Sequence, residues 1–360
     1  MPVPSVSPPR KIQVLIVDDS LLFRKTLENR LSQDPRIEII GTAVDSFDAM
    51  EKIRSLHPDV VTLDVEMPRM NGIDFLKKLI PIHPVPVIVV SSLPINVLDA
   101  LEAGAVDFVE KPKVQSGADL ARFVGELSGK ISIAASAHVR KRAAAPAAAA
   151  APRRPSVPSL LSAAARNDNT VIAIGASTGG TDAILEVVRN LPATTPGVVI
   201  VQHMPPVFTR MYSERLDKIC HMRVKEAADM DRVKRGQILI APGGFQMKLC
   251  KDTQGYFVRV EEGAKVNGHC PSVEVLFNTA ATVAGAFATG VILTGMGADG
   301  AKGLLNMRKA GAYTIGQDKD SCVVYGMPQA AFTMGAVMKQ LPLDKICGEI
   351  ISHLNMARPQ

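Results

Sequence analysis

Residues 171–180 read VIAIGASTGG, and this stretch decides how the second half of the chain folds. An apolar run ends at Gly175, a small-residue loop carries Ser177, and Gly179 and Gly180 lead into TDAILEVVRNL, apolar at helical spacing. The pattern reads as strand, tight turn, helix. Ser177 then stands at the N-terminal end of the helix, among backbone N–H groups without helical partners and at the positive end of the helix dipole. Such a place suits an oxyanion or a phosphate.

Downstream, GVVIVQHM is a strand ending at His203, and PPVFTRMYSERLDKI is helical. VKEAADMDRVKRGQILIAPGGFQMKL and YFVRVEEG read as β-structure, PSVEVLFNTAATVAGA as a helix, GVILTGMGADG as strand then loop, and AKGLLNMRKAG as a helix. AYTIGQD and SCVVYGMP add a short strand and a loop before the last helices. This alternation predicts a mostly parallel, doubly wound sheet with a β-rich insertion near its middle. Ser177, His203 and Asp299 fall at or just beyond the ends of three strands, the edge where such sheets bind ligands. A serine hydroxyl needs a base, and an imidazole serves best when a buried carboxylate orients it, so the three suffice for acyl transfer. Gly295, Gly297 and Gly300 allow the close backbone approach of an oxyanion hole.

Each of the three also has a structural use: Ser177 as a helix cap, His203 as a strand-end hydrogen-bonder, Asp299 as a cap for the helix near Ala301. The G-x-S-x-G spacing of Gly175, Ser177 and Gly179 is a weak signal alone, and the order Ser, His, Asp is not that of α/β-hydrolases. A dinucleotide cradle is disfavoured, since G-x-G-x-x-G is not matched and the next strand ends in Gln202 and His203. In NGHCPS, His269 beside Cys270 offers a second nucleophile pair, but no evident partner orients it and the stretch reads rather as a surface loop.

The first 130 residues alternate strand and helix in the same way. IQVLIVDDS ends in Asp18 and Asp19, DVVTLDVEMP carries Asp64 at its end, VPVIVVSSL ends with Ser91, and VDFVEKP ends with Lys111. A parallel sheet covered on both faces brings these residues to one edge. Three carboxylates at close range need a cation between them, and hard oxygen ligands suit Mg²⁺. Helix capping explains Asp18 or Asp19 singly but not the set.

Between the two halves, residues 131–168 collapse into Ala and Pro with scattered Arg, a semi-flexible tether in which PSVPSLLSAAAR could dock on a domain or partner. The net charge of +6 is concentrated there, so nucleic-acid binding is not indicated, and no basic recognition helix follows. Five cysteines, all in the second half and without a C-x-x-C pair, indicate reduced thiols in a cytoplasmic protein. MPVPSVSPPRK is neither signal peptide nor anchor, and the uncharged run from Val275 to Ala298 divides into helix and strand rather than a membrane span.

The first 130 residues resemble a response-regulator receiver domain, a flavodoxin-like fold. The resemblance implies Asp64 as phospho-acceptor and, as Mg²⁺ ligands, Asp18, Asp19, Asp64 and the Glu66 backbone carbonyl. It implies that Ser91 and Lys111 contact the phosphoryl group and that Phe108 is the switching aromatic. IGASTGG, VQHMPPVFTRMYSERL, PSVEVLF, VILTGMGADG and SCVVYGMP resemble the catalytic domain of the chemotaxis protein-glutamate methylesterases, of Rossmann-like fold. That resemblance implies Ser177 as nucleophile, His203 as general base and Asp299 as its orienting carboxylate, with Thr178 and the Met296 N–H near the oxyanion. No cofactor is expected in this domain, which would span 169–360. The implied reactions are hydrolysis of glutamate methyl esters on chemoreceptor cytoplasmic helices, releasing methanol, and deamidation of glutamines there. Chemoreceptors are then the substrate and a chemotaxis histidine kinase the phosphodonor, for a monomer that is not membrane-inserted. Under this reading the unphosphorylated receiver covers the Ser177 edge, and phosphorylation of Asp64 loosens it.

Overall fold

The computed structural model describes residues 10–92, 94–112, 117–137, 139 and 169–356. The chain separates into two compact units, Met1–Ala147 and Ala148–Gln360.

In the first unit, five strands alternate with five helices: β1 (Ile12–Val17), α1 (Leu21–Leu31), β2 (Ile37–Ala43), α2 (Ser46–Leu56), β3 (Val60–Asp64), α3 (Gly72–Ile82), β4 (Val87–Ser91), α4 (Pro94–Glu102), β5 (Asp107–Glu110) and α5 (Gly117–Ala134). The sheet is parallel, in the order β2-β1-β3-β4-β5. β3 and β4 are buried along their whole length, as strands covered on both faces must be. The order reverses at β1, so the residues after β1 and β3 face a crevice between neighbouring strands. α5 continues through Ile131 to Ala134, into the stretch read as tether, because both side chains are buried and extend its apolar face. Most of the Ala/Pro-rich stretch, with the PSVPSLLSAAAR segment, lies outside the described residues.

The second unit contains β6 (Val171–Ala176), α6 (Gly180–Val188), β7 (Gly197–Gln202), α7 (Phe208–Ile219), β8 (Arg223–Glu226), β9 (Gln237–Ile240), β10 (Gln246–Asp252), β11 (Gly255–Glu261), α8 (Val273–Val283), β12 (Ala288–Ile292), α9 (Ala301–Lys309), β13 (Tyr313–Gln317), α10 (Met327–Thr333), β14 (Lys339–Leu341) and α11 (Leu343–Asn355). Seven strands form one parallel sheet in the order β14-β13-β12-β6-β7-β9-β8. The expected β-rich insertion is thus smaller than the sequence suggests. β8 and β9 belong to the main sheet, and β10 and β11 alone stand apart, as an antiparallel hairpin. Packed on the sheet is an aliphatic core with few aromatics, including Leu239, Met247, Leu276, Phe277 and Leu304. No helix among the described residues is long and apolar enough to cross a membrane, and residues 275–298 divide between α8, a 3₁₀ turn and β12.

Candidate active site

In the first unit, Asp18 lies just past β1 and Asp64 ends β3, and both are almost fully buried. Neither caps its own helix. Ser20 caps α1 by accepting from Phe23 N, while Asp18 Oδ1 accepts from Ser20 N (2.9 Å). Carboxylate oxygens of Asp18, Asp19 and Asp64 all lie within 4.8 Å of one another. Lys111 Nζ donates to Asp18 Oδ2 (2.8 Å) and to Asp64 Oδ2 (2.5 Å). Burial works against the Lys111 charge, but its two carboxylate hydrogen bonds hold its pKa above the ordinary value. Burial, reinforced by Asp64, raises the Asp18 pKa despite the Lys111 contact. One ammonium among three carboxylates leaves a negative pocket of hard oxygen donors, which fits a divalent cation. Ser91 ends β4, fully buried, and its carbonyl accepts from Lys111 N (3.0 Å). Phe108 is buried on β5 beneath Lys130 Nζ, which lies 4.9 Å from its ring centroid. Glu66 N donates to Asp64 Oδ1 (3.0 Å), so its peptide borders the pocket.

In the second unit, β6 and β7 pair so that Ala176 lies opposite Gln202. Ser177 and His203 therefore leave adjacent strands at the same level, and His203 N donates to Ala176 O (3.2 Å). Asp299 arrives from β12, on the other side of β6. The His203 ring, 8% exposed, places Nε2 2.9 Å from Asp299 Oδ2. Asp299 does not cap the helix near Ala301. Its carboxylate accepts from Val273 N (2.7 Å) and Glu274 N (3.3 Å) at the start of α8, and from Ser272 Oγ and Asn267 Nδ2 (both 2.8 Å). Burial disfavours its charge, but the His203, Asn267 and Ser272 hydrogen bonds outweigh this and lower its pKa to about 2. An ionised carboxylate only accepts, so Nε2–H is the donor to Asp299, and in the neutral form of the ring Nδ1 is then the acceptor nitrogen. Among the described residues Nδ1 is buried without a hydrogen-bond partner, so no bond to the Ser177 hydroxyl is made in this structure.

The Ser177 turn is held from beneath. Ser177 N donates to Thr294 O (3.0 Å), Gln202 Nε2 donates to Ser177 O (2.9 Å), and Thr294 Oγ1 donates to Thr178 O (3.0 Å). Gly179, in the left-handed region at φ 75°, turns the chain into α6. A Cβ on Gly295 would lie 2.7 Å from Ser177 Cβ, so only glycine lets these two loops touch. Met296 follows, half-exposed, and its backbone N–H makes no hydrogen bond among the described residues. Gly300 lets the loop pack closely on α8, since a Cβ there would lie 2.4 Å from Val273 Cγ1.

Composition and motif reading missed several members of this site. His269 is no free surface residue; its ring stacks on that of His203 at 3.7 Å between centroids and 8° between planes. Asn267 and Ser272 hold Asp299, while Gln202 and Thr294 hold Ser177. The one available signal was Asn267-Gly268, a dipeptide that favours a tight turn with positive φ at both positions.

A receiver-type acidic pocket followed by a doubly wound domain with an oriented imidazole at its switch point defines a response regulator with an enzymatic output domain. The family model for the response regulator receiver domain matches residues 14–119, and that for CheB methylesterase matches residues 172–350. The chain is 55% identical over 339 residues to a protein-glutamate methylesterase/protein-glutamine glutaminase of Syntrophomonas wolfei, covering 94% of this chain and 96% of that one. It is 49% identical to its namesake of Syntrophotalea carbinolica, covering 97% and 99%. The crystal structure of the Thermotoga maritima CheB methylesterase catalytic domain matches 51% of this chain and 98% of its own, at 38% identity and a TM-score of 0.50. The protein belongs to the CheB methylesterase family.

Proposed function

We propose that the protein hydrolyses glutamate γ-methyl esters, and deamidates glutamines, on chemoreceptor helices in the cytoplasm, with Ser177 as nucleophile, His203 as base and Asp299 as the group that orients it. The observation that carries this reading is the His203 Nε2–Asp299 contact, with the bare Nδ1 left at the strand edge that Ser177 shares. Ser177 and His203 follow the paired strand ends Ala176 and Gln202, which puts the hydroxyl and Nδ1 on the same edge of the sheet. Nδ1 then takes the hydroxyl proton as Oγ attacks the carbonyl, and passes it to the departing methoxy oxygen, which leaves as methanol, or to the departing amide nitrogen, which leaves as ammonia. Water cleaves the acyl-enzyme by the same route in reverse. As charge grows on the carbonyl oxygen, the Met296 N–H and the backbone around Thr178 stabilise it.

Phosphorylation of Asp64 by a histidine kinase regulates this activity. Asp18, Asp19, Asp64 and the Glu66 carbonyl would hold Mg²⁺, which neutralises charge during phosphoryl transfer. Lys111, whose ammonium donates to Asp64 Oδ2, and Ser91 would hold the transferred group. Methanol release from methyl-esterified receptor, measured with and without a phosphodonor, tests both halves of this function. No release in either condition would refute the esterase, and equal release in both would refute the control.

A further inference from the structure

The chain between β11 and α8 folds back on itself in a way that the Ser177, His203 and Asp299 reading does not use. Val266 and His269 exchange both backbone hydrogen bonds (3.0 and 2.9 Å), and Asn267 and Gly268 between them have φ of 51° and 85°. This is a tight turn with both central residues in the left-handed region, the geometry that Asn-Gly favours. Gln246, buried at the start of β10, fastens it at three points. Its Nε2 donates to Ala264 O (3.0 Å) and His269 O (3.2 Å), and its Oε1 accepts from Ser272 N (2.9 Å). A segment so fixed presents Asn267 to Asp299 and lays the His269 ring flat on His203.

We propose that His269 is a positioning residue for His203, its ring acting as a lid that fixes the plane of the catalytic imidazole and keeps Nδ1 aimed at Ser177. The proposal rests on His203 being the base. Among the described residues nothing bonds the buried Nδ1, so Asp299 alone would let the His203 ring rock about its Nε2 contact. A parallel ring at 3.7 Å removes that freedom on one face. Burial first, and His203 next, depress the His269 pKa to about 4, so the lid is neutral at physiological pH and does not repel the imidazolium formed in catalysis. Misplacing a proton acceptor by a fraction of an ångström lowers turnover rather than substrate binding.

The test is steady-state methanol release by the full chain from a helical peptide bearing one glutamate methyl ester, comparing wild type, H269A, H269F and S177A. The expected result is that H269A lowers kcat about tenfold or more with KM within about twofold, and that H269F, which restores a flat ring without a titrating nitrogen, recovers most of kcat. An unchanged kcat in H269A, or a raised KM with kcat intact, would overturn the proposal, the latter making His269 a substrate contact. If thermal unfolding shows that H269A does not fold, H269F decides: near-wild-type kcat supports the lid, and a loss like that of S177A overturns it. An active S177A would instead refute the serine mechanism.

Discussion

Asp299, on the loop after β12, accepts a hydrogen bond from the backbone N–H of Val273, the first residue of α8, at 2.7 Å. The carboxylate that bonds His203 Nε2 is therefore also the anion at a helix N-terminus. Helix-dipole attraction, N–H donors and the imidazole proton all favour its charged form, against the cost of burial.

Asp299→Asn should remove the charge while retaining most of the shape. Its amide cannot accept from Nε2–H, Val273 N–H and Ser272 O–H together, so the His203 tautomer is no longer fixed. We expect kcat to fall by about 10³ to 10⁴, together with reduced stability, read by methanol release and by denaturant unfolding.

Ser177→Ala should abolish turnover and leave the fold intact, because the turn is held through the Ser177 backbone. A serine-directed phosphonate should label wild type at Ser177 and fail to label His203→Ala. Labelling that is indifferent to His203 would contradict its role as base.

Stability should depend on pH in two separate windows. Asp299 has a folded pKa of about 2 against an ordinary 3.8, so its contribution is complete above about pH 4 and is lost as pH falls through about 2. His269 has a folded pKa of about 4 against 6.5, so the unfolded chain binds its proton first and stability declines as pH falls from about 6.5 to about 4. Denaturant midpoints measured across pH should show a shallower slope in the upper window for H269F than for wild type. Equal slopes would mean His269 titrates normally.

Asp64→Asn should lose any stimulation by a phosphodonor, and chelation of Mg²⁺ should do the same to wild type. Lys111→Ala should impair phosphorylation even with Mg²⁺ present, because its ammonium bridges Asp18 and Asp64. Intact-mass measurement of the phosphorylated protein reads all three.

Phe277→Ala should destabilise the second unit by about 3–5 kcal/mol. Phe277 is fully buried on α8, and the Cα of Gly303 and of Gly300 pack against it. Since α8 supplies two of the N–H donors to Asp299, kcat should fall along with the unfolding midpoint.

Much of this arrangement is legible in the residues themselves. Apolar strands alternating with helices dictate two parallel sheets, and polar residues at strand ends, Asp64, Lys111, Ser177 and His203, mark the edges where chemistry can occur. Strand order is not legible, because it depends on which crossovers bury the most surface. A local pattern cannot show that β8 and β9 extend the main sheet or that β14 closes its other edge. That order brings Asp299, from β12, against α8 instead of its own helix, and it hands His203 its partner. Asn267 and His269 were hidden for a related reason. In sequence they form a polar loop of ordinary appearance, and they become part of the site only when Gln246, buried at the foot of a hairpin far from Ser177 in sequence, ties that loop down over His203. The sequence alone determines which groups are available and how each strand ends; the packing of non-local elements decides which of them touch, because hydrogen bonds such as those around Asp299 form between segments that only the folded core holds together.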